Sequence, residues 1–201
     1  SSSAASDVYK RQEDAVNISV GFATRPTNSL SLSADYYNVE VDNRIIKSRS
    51  LPIVNPEFSE LAFYTNSLNT RTQGFDIVLA WNGGRNTNLS VAYNYNKTEV
   101  LGQTQVNGLD PVSAGTIFNI ENNLPKGRIS AALVQDIGSL TAMIRANYYS
   151  QTIDERGQQE VVSPETLFDI EFSYPVSTSF RLLVGANNVV DNYPDEIATR
   201  S

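Results

Sequence analysis

Residues 75–95 read FDIVLAWNGGRNTNLSVAYNY. Large apolar side chains occupy every second position on both sides of a central turn: Phe75, Ile77, Leu79 and Trp81 before it, and Leu89, Val91, Tyr93 and Tyr95 after it. The turn, 82–85, consists of Asn, two Gly and Arg, and Asn and Gly tolerate the tight backbone conformations of hairpins. Because strand side chains point alternately to opposite faces, this spacing predicts two antiparallel strands with one apolar face.

The same alternation recurs on both sides of this hairpin. Six further segments show it: 16–23, 30–37, 129–133, 140–148, 168–174 and 180–186. The strand that contains Phe75 is expected to extend back to about Leu61. No comparable stretch has the 3.6-residue spacing of a helix. The sequence therefore predicts an all-β chain of eight strands in four hairpins, with very little helix.

The connections between these strands alternate in length. Those near residues 27, 84, 138 and 176 are short, whereas those at 42–60, 100–125 and 151–165 are long and rich in Asn, Gln, Ser, Pro and Gly. Short turns at one end and long loops at the other are typical of an antiparallel, up-and-down transmembrane β-barrel. Soluble up-and-down barrels and sandwiches usually have short connections at both ends.

Aromatic residues favour the same architecture, because they fall at two heights along the strands. A lower set lies close to the short turns: Phe22, Trp81, Tyr174 and Phe180. An upper set lies farther away: Tyr36, Tyr37, Tyr93, Tyr95, Tyr148, Tyr149 and Phe168. A tilted strand crosses the hydrocarbon in about 9–11 residues, and aromatic rings prefer both interfaces, so two belts are predicted. The alternative explanation is the general preference of Tyr and Phe for strands.

Charged residues occupy the strand positions that alternate with the apolar ones. The charged positions are Asp35, Asp76, Arg128, Arg145, Asp169, Glu171 and Arg181. In a large barrel this face lines a water-filled lumen, where charge is tolerated, and we predict that the seven side chains face such a lumen. Glu171 and Arg181 each lie about five residues from the centre of the 175–178 turn, which predicts a cross-strand pair on that face.

The composition excludes several kinds of site. The 201 residues include no Cys and no His, so disulfides, thiolate or imidazole metal ligation and Ser-His-Asp catalysis cannot arise within this chain. The net charge of −7 argues against nucleic acid as a partner. The longest apolar run, 77–81, is far shorter than the roughly 20 residues of a membrane helix. We predict no catalytic residue, no metal site and no cofactor.

Three groups of residues carry a resemblance to a known family. They are Asp35-Tyr36-Tyr37 with Asp42-Asn43-Arg44-Ile45, Asn66 with Thr72-Gln73-Gly74-Phe75-Asp76, and Asn187-Asn188-Val189 with Asp191-Asn192-Tyr193-Pro194. In this order, over about 13–196, the sequence resembles the C-terminal barrel half of TonB-dependent outer-membrane receptors. The resemblance implies a 22-stranded barrel in the bacterial outer membrane, surrounded by lipid and plugged by an N-terminal domain.

The resemblance also implies a function. Receptors of this kind take up a scarce ligand (an iron–siderophore complex, a cofactor or an oligosaccharide) with energy passed from TonB. The plug domain and the TonB system are therefore expected partners of the full-length protein. Residues 13–201 are expected to form about eight wall strands, the fourteenth to the twenty-first, without the plug and the final strand. Residues 1–12 lack the apolar centre of a signal peptide and are expected to be a non-native or disordered tail.

The long loops are predicted to face the ligand, because function concentrates in loops carried by a rigid scaffold. The loops are 47–60, 101–116 and 152–164, and the candidate ligand-facing residues are Tyr64, Asn66, Asn107, Asp110 and Arg156.

Two other functions are weighed against transport. A soluble carbohydrate-binding β-sandwich would bury Val20, Ile77, Leu133 and Phe172 in one dry core between two sheets. An outer-membrane enzyme without His would rest on carboxylate pairs or on Ser-Lys chemistry. Asp169 and Glu171 share a strand face, but they lie in the middle of a strand rather than beside a loop cleft. We therefore predict that the chain is not an enzyme.

Overall fold

The computed structural model describes residues 12–52, 59–84, 86–155 and 159–196. Its elements in chain order are β1 (Asp14–Thr27), β2 (Leu30–Lys47), β3 (Leu51–Pro52), β4 (Glu60–Leu61), β5 (Tyr64–Asn82), β6 (Thr87–Gln103), α1 (Ala114–Asn122), β7 (Gly127–Ile137), β8 (Leu140–Tyr149), β9 (Thr152–Glu155), β10 (Gln159–Val162), β11 (Glu165–Pro175) and β12 (Arg181–Ala186). Eight strands form one antiparallel sheet in the order β1-β2-β5-β6-β7-β8-β11-β12. The eight predicted strands and four predicted hairpins are confirmed.

The four hairpin turns are short, as predicted, and the tightest of them shows why. Ile137 pairs with Leu140, so the turn between β7 and β8 contains only Gly138 and Ser139. Gly138 has φ +64°, a backbone conformation that glycine adopts without the steric cost of a Cβ. A glycine of this kind at the first turn position is typical of a type II′ hairpin, whose twist matches that of the flanking strands.

The strands are staggered in the way a tilted barrel wall requires. One row of paired residues crosses the sheet: Leu30, Trp81, Leu89, Leu133, Ile144 and Ile170. Leu30 is the first residue of β2, whereas Ile170 lies five residues before the end of β11 after five interstrand steps. A shift of one residue for each strand displaces the turns by about 3.3 Å for every 4.8 Å across the sheet. The corresponding strand tilt is about 35°, which is within the range of barrels.

The apolar face of the sheet is open rather than packed against a second sheet. Val20 is 68% exposed, Leu133 41% and Phe172 43%. The dry core that a soluble β-sandwich requires is therefore not formed by these residues. β1 and β12 lie at the two edges, and the eight strands do not close into a barrel by themselves.

Three neighbouring strands are the longest of the sheet, ahead of β1 with 14 residues. β2, β5 and β6 contain 18, 19 and 17 residues, whereas β7, β8 and β11 contain 11, 10 and 11. Because about 9–11 residues cross the hydrocarbon, the long strands exceed this length by about one half or more. The additional residues lie at the end that carries the long connections, so one part of the wall stands above the rest.

Three features depart from the predictions. The third predicted strand begins at Tyr64 instead of near Leu61, because Glu60–Leu61 pairs with Leu51–Pro52 in a separate ribbon. β9 and β10 form a second ribbon, and α1 lies in a segment predicted to be a loop. The Ser113 hydroxyl caps α1 by accepting the N–H of Thr116 at 3.2 Å. Within the described residues no helix is long and apolar enough to cross a membrane.

Candidate functional site

The predicted charged residues all lie on one face of the sheet, which we call the polar face. Two rows of paired residues carry five of them: Gly21, Asp35, Asp76, Asn94, Arg128 and Tyr149 in the first, and Ser31, Ala80, Ser90, Ala132, Arg145 and Asp169 in the second. Glu171 and Arg181 occupy the same face nearer the last turn. Residues that pair across antiparallel strands share a face, so the pairing register alone brings these side chains together.

Neutral amides accompany the charges on this face. Asn94 Nδ2 donates to Asp76 Oδ1 at 2.6 Å, and Asn147 Nδ2 reaches Asp169 Oδ2 at 3.4 Å. The guanidinium of Arg128 lies 5.1 Å from the ring centroid of Tyr149, within the range of a cation–π contact. The surface therefore combines carboxylates, amides and one guanidinium–aromatic pair. The seven predicted lumen-facing residues do not include Asn94, Asn147 or Tyr149, although the two-residue period places all three on this face.

Two glycines leave room for larger side chains on the polar face. A Cβ at Gly21 would lie 1.8 Å from Asp35 Oδ1, and a Cβ at Gly74 would lie 2.4 Å from the Tyr37 hydroxyl and 2.3 Å from the Tyr95 carbonyl oxygen. Each glycine pairs with the residue whose side chain covers it. The side chains of Asp35 and Tyr37 thus pack directly against the backbone of the neighbouring strand.

The predicted Glu171–Arg181 pair is wrong. Glu171 pairs with Gly185, and Arg181 pairs with Pro175. The turn occupies Val176–Phe180, where the N–H of Val176 donates to the Phe180 carbonyl at 2.9 Å. It is centred on residue 178, two residues later than a Glu171–Arg181 pair requires. The two side chains share a face, but about 13 Å of strand separates their pairing positions.

Part of the predicted upper aromatic belt is also wrong. Tyr36, Tyr93 and Tyr95 lie on the apolar face with Phe75, whose ring contacts those of Tyr93 and Tyr95 at centroid distances of 5.5 and 5.4 Å. Tyr37 and Tyr149 pair with Gly74 and Arg128 on the polar face. The prediction used height along the strand without the alternation of faces, and neighbouring tyrosines must point in opposite directions.

The apolar face changes character above this belt. One row beyond Tyr36, Phe75 and Tyr95 the paired residues are Asn38, Gln73 and Lys97, and the next row is Glu40, Arg71 and Glu99. Arg71 Nε contacts Glu40 Oε1 at 2.7 Å, and Lys97 pairs with Glu99. Charged groups are tolerated in water and not in hydrocarbon, so the boundary of an apolar environment lies at the Tyr36–Phe75–Tyr95 row.

The long connections interlock at the same end of the sheet. Arg49 Nε donates to the Asp110 carbonyl oxygen at 2.9 Å, and the Arg49 N–H donates to the Pro111 carbonyl at 2.8 Å. Gln103 binds both the N–H and the carbonyl of Val112. The buried apolar side chains of the described residues lie here: Leu51, Leu68, Pro111 and Val112. No sequence pattern singled out Arg49, because both its partners are backbone groups remote in sequence.

Helix α1 joins the remaining connection to this cluster. Asn119 Oδ1 accepts the N–H of Glu155 at 2.7 Å, and Glu121 Oε1 accepts the N–H of Val100 at 2.8 Å. The helix therefore bridges β9 and the free upper edge of β6. The described parts of the three long connections therefore contact one another instead of forming three independent loops.

The ligand-facing candidates occupy different environments within this structure. Tyr64 is 61% exposed at the start of β5. Asn107 has φ +53° in the tight turn closed by Val106 and Leu109, and the Asp110 carboxylate accepts Gln105 Nε2 at 3.1 Å. Asn66 lies within β5 and donates to the Asn43 carbonyl at 2.8 Å. Arg156, like residues 1–11 of the predicted tail, lies outside the described residues.

The described residues include no group of three or more carboxylates suited to holding a metal ion. The structure thus offers two surfaces of functional interest: the polar face and the interlocked loops above it.

A family model described as TonB dependent receptor-like, beta-barrel, matches residues 5–189. The chain belongs to this family. Its fold is that of a segment of a TonB-dependent receptor barrel, and proteins of this family reside in the outer membrane of Gram-negative bacteria. A search of curated protein sequences gave no match.

Solved structures support the same fold. The FrpB iron transporter of Neisseria meningitidis (F3-3 variant) is 13% identical, with a TM-score of 0.69 over 90% of this chain and 27% of its own. The ferric yersiniabactin uptake receptor FyuA of Yersinia pestis is 11% identical (TM-score 0.64; 90% and 25%). The ferripyoverdine receptor of Pseudomonas aeruginosa is 14% identical (TM-score 0.65; 90% and 24%). The chain spans about a quarter of the length of these TonB-dependent receptors.

The three motifs that carry the sequence resemblance make structural contacts in this chain. In Thr72-Gln73-Gly74-Phe75-Asp76, the Thr72 hydroxyl contacts that of Thr98 at 2.9 Å and Gln73 Nε2 donates to Asn38 at 3.0 Å. In Asp42-Asn43-Arg44-Ile45, Asn43 has φ +56° at a bulge. Its N–H donates to Asn69 Oδ1 at 3.0 Å, and its carbonyl accepts Asn66.

The third motif is a compact turn after β12. Asn188 has φ +51°, and its N–H donates to Asp169 Oδ1 at 3.0 Å. Asn192 Nδ2 donates to the Thr166 carbonyl at 2.9 Å. This turn fastens the end of β12 onto β11. Asp169 therefore supports the wall as well as contributing charge to the polar face.

Proposed function

We propose that this chain forms adjacent wall strands of a TonB-dependent transporter that actively takes up a scarce ligand across the outer membrane. In the complete protein the apolar face meets lipid and the polar face lines the lumen. The observation that carries this proposal is the row Asp35, Asp76, Asn94, Arg128 and Tyr149, which presents charged, amide and phenol groups continuously across five strands. Such a lining suits the passage of a polar solute and the seating of a polar plug.

The proposal extends to domains and partners. Residues 13–201 belong to the barrel wall, and the plug domain and the TonB system act in the full-length protein. The chain has no catalytic role in this mechanism: the loops capture the ligand, TonB displaces the plug, and the ligand then diffuses along the polar face.

A metal chelate is the first ligand class to test. The structurally similar proteins are named as transporters or receptors of iron, ferric yersiniabactin, ferripyoverdine and copper. The chain has neither His nor Cys, so its contribution to such a ligand would come from the hydroxyls, amides and charged groups of the loops. Cobalamin-like cofactors and oligosaccharides are the alternative ligands.

Uptake by the bacterium tests this function. A strain that lacks the gene is compared with the parent strain for accumulation of radiolabelled ferric siderophores, cobalamin and oligosaccharides, each with and without TonB. We expect one ligand class to lose high-affinity uptake in both the receptor deletion and the TonB deletion. Uptake that depends on the receptor but persists without TonB would indicate a passive channel and would contradict active transport.

Variants of polar-face residues test whether the ligand passes along this surface. Asp76→Asn keeps the shape of its side chain and Arg128→Gln keeps an amide donor, and both remove charge from the polar face. Glu40→Gln, on the other side of the sheet above the aromatic row, is the control for loss of charge elsewhere. We expect the two polar-face variants to change the uptake rate more than ligand affinity, because the ligand meets this row after capture. Unchanged uptake in both variants would contradict a lumen route along this row.

A further inference from the structure

Two Asn-Gly dipeptides occupy turns at opposite ends of the sheet. Asn107-Gly108 lies in the long connection after β6, and Asn82-Gly83 lies at the hairpin turn between β5 and β6. In water an Asn-Gly pair can lose ammonia, because the backbone nitrogen of the glycine attacks the side-chain carbonyl carbon of the asparagine. Glycine has no Cβ to hinder this attack. The two turns differ in how firmly they hold the reacting groups.

The Asn107-Gly108 turn leaves both reacting groups exposed to water. Asn107 has φ +53° and Gly108 has φ +75°, as in a two-residue type I′ turn. Two bonds close this turn: the Val106 N–H donates to the Leu109 carbonyl at 2.9 Å, and the Leu109 N–H donates to the Val106 carbonyl at 3.0 Å. Among the described residues, neither the Asn107 side chain nor the Gly108 N–H has a hydrogen-bond partner. A hairpin of this size is marginally stable by itself, so it opens at little cost.

The Asn82-Gly83 turn holds the same two groups in hydrogen bonds. Asn82 Oδ1 accepts the Gly84 N–H at 3.0 Å, and the Gly83 N–H donates to the Thr87 carbonyl at 2.9 Å. The Trp81 ring also covers Gly83, since a Cβ there would lie 2.3 Å from the ring. Attack at this turn therefore requires that both bonds break at the end of two long paired strands.

We propose that Asn107 is a site of spontaneous deamidation, which adds a negative charge to this loop as the receptor ages. The Gly108 nitrogen loses its proton and bonds to Asn107 Cγ, and the carboxamide nitrogen leaves as ammonia. Water then opens the cyclic imide at either carbonyl, so that residue 107 becomes aspartate or isoaspartate. Isoaspartate adds a methylene group to the backbone, and a two-residue turn then loses the match between Val106 and Leu109. The reaction needs only water, so it does not depend on the transported ligand.

Peptide mapping of the full-length receptor by mass spectrometry tests this proposal. The detergent-purified receptor is incubated in mildly alkaline buffer, either folded or unfolded in guanidinium, and conversion of each asparagine is followed with time. The ratio of the unfolded rate to the folded rate measures the protection of each site. We expect Asn107 to be protected about tenfold less than Asn82, because two additional hydrogen bonds hold the Asn82-Gly83 turn. Equal protection of the two sites, or no conversion of Asn107 in the folded receptor, overturns the proposal.

Two glycine variants assign the product to residue 107. In Gly108→Ala the new methyl group crowds the attacking nitrogen, so isoaspartate in this peptide, detected with isoaspartyl methyltransferase, should fall to background. Gly102→Ala is the matched control, because a Cβ at either glycine would meet nothing within 4 Å and Gly102 follows Leu101. The variants are also compared after unfolding in guanidinium, where folding of the variant has no influence. Unchanged isoaspartate in Gly108→Ala, or unaltered hydrogen exchange of the Leu109 amide in isoaspartate-containing receptor, contradicts the proposal.

Discussion

Asn188 and Asn192 bind each other twice. Asn188 Nδ2 donates to the Asn192 carbonyl oxygen at 2.7 Å, and Asn188 Oδ1 accepts the Asn192 N–H at 3.1 Å. With the bonds to Asp169 and Thr166, this reciprocal pair closes the turn that fastens β12 to β11. The asparagine-rich turn of Asn188 and Asn192 therefore holds the end of β12 against β11, and we call it the clasp.

The clasp predicts different effects for two substitutions of Asn188. Asn188→Ala loses both side-chain bonds and the tolerance of Asn for the left-handed conformation, whereas Asn188→Gly loses the bonds but adopts that conformation easily. We expect Asn188→Ala to lower the free energy of opening this turn by about 1–3 kcal/mol, and Asn188→Gly to lower it by less. Hydrogen exchange of the Val189 and Asn192 amides in the full-length receptor measures this opening. Equal protection in wild type and Asn188→Ala would show that the clasp contributes nothing.

Gly74→Ala should destabilise the wall strongly. The new Cβ would lie 2.3 Å from the Tyr95 carbonyl oxygen and 2.4 Å from the Tyr37 hydroxyl, and overpacking of this kind costs about 1–3 kcal/mol. The measurement is the urea concentration at which heat-resistant folded receptor disappears. Gly102→Ala is the matched control with open space. Because one clashing atom is backbone, adding Tyr37→Ala should restore only part of the loss, and full restoration would contradict the geometry.

Single cysteines should report the two faces of the sheet directly, because the chain has none of its own. Asp76→Cys and Asn94→Cys, on the polar face, are expected to react with a charged, water-soluble thiol reagent in outer membranes. Ile77→Cys and Tyr93→Cys, each one residue away, should react only with an apolar reagent. The reverse pattern would mean that the polar face meets lipid and would overturn the proposed orientation.

The loop candidates should separate into two groups. Tyr64→Ala and Asp110→Ala, at exposed positions, are expected to weaken ligand binding without changing folding. Asn66→Ala should instead lower the yield of folded receptor, because the Asn66 amide holds the bulge at Asn43. Ligand titration and the heat-migration assay distinguish the two effects. A loss of affinity in Asn66→Ala at normal stability would assign Asn66 to the ligand site.

A pH effect is expected where the chain leaves the last strand. The Ser163 side chain and N–H bind Asp195 and hold the pKa of that exposed carboxyl below its ordinary value of 3.8; the backbone bond measures 2.8 Å. The contribution of this contact is present above the ordinary pKa and is lost as the pH falls through the lowered one. Exchange of the Ser163 amide, corrected for its intrinsic rate, should rise below about pH 4. In Asp195→Asn the corrected rate should no longer depend on pH there.

Much of the wall follows from local pattern. The alternation of Phe75, Ile77 and Leu79 with Asp76 and its neighbours fixes which residues share a face. Gly138 marks a hairpin turn that requires a residue with positive φ. The same alternation also places Asn94 and Tyr149 on the polar face. These features need no knowledge of distant contacts, because the two-residue period of a strand is a property of its backbone.

The sequence by itself thus determined the strands, the hairpins and the two chemically different faces. The tertiary structure alone decided the register at Glu171 and Arg181, since register depends on how many residues the turn takes. It also decided the interlocked loops, in which Arg49 and Glu121 bind backbone groups that no spacing rule can anticipate. Local periodicity is encoded residue by residue, whereas register and loop contacts result from three-dimensional packing.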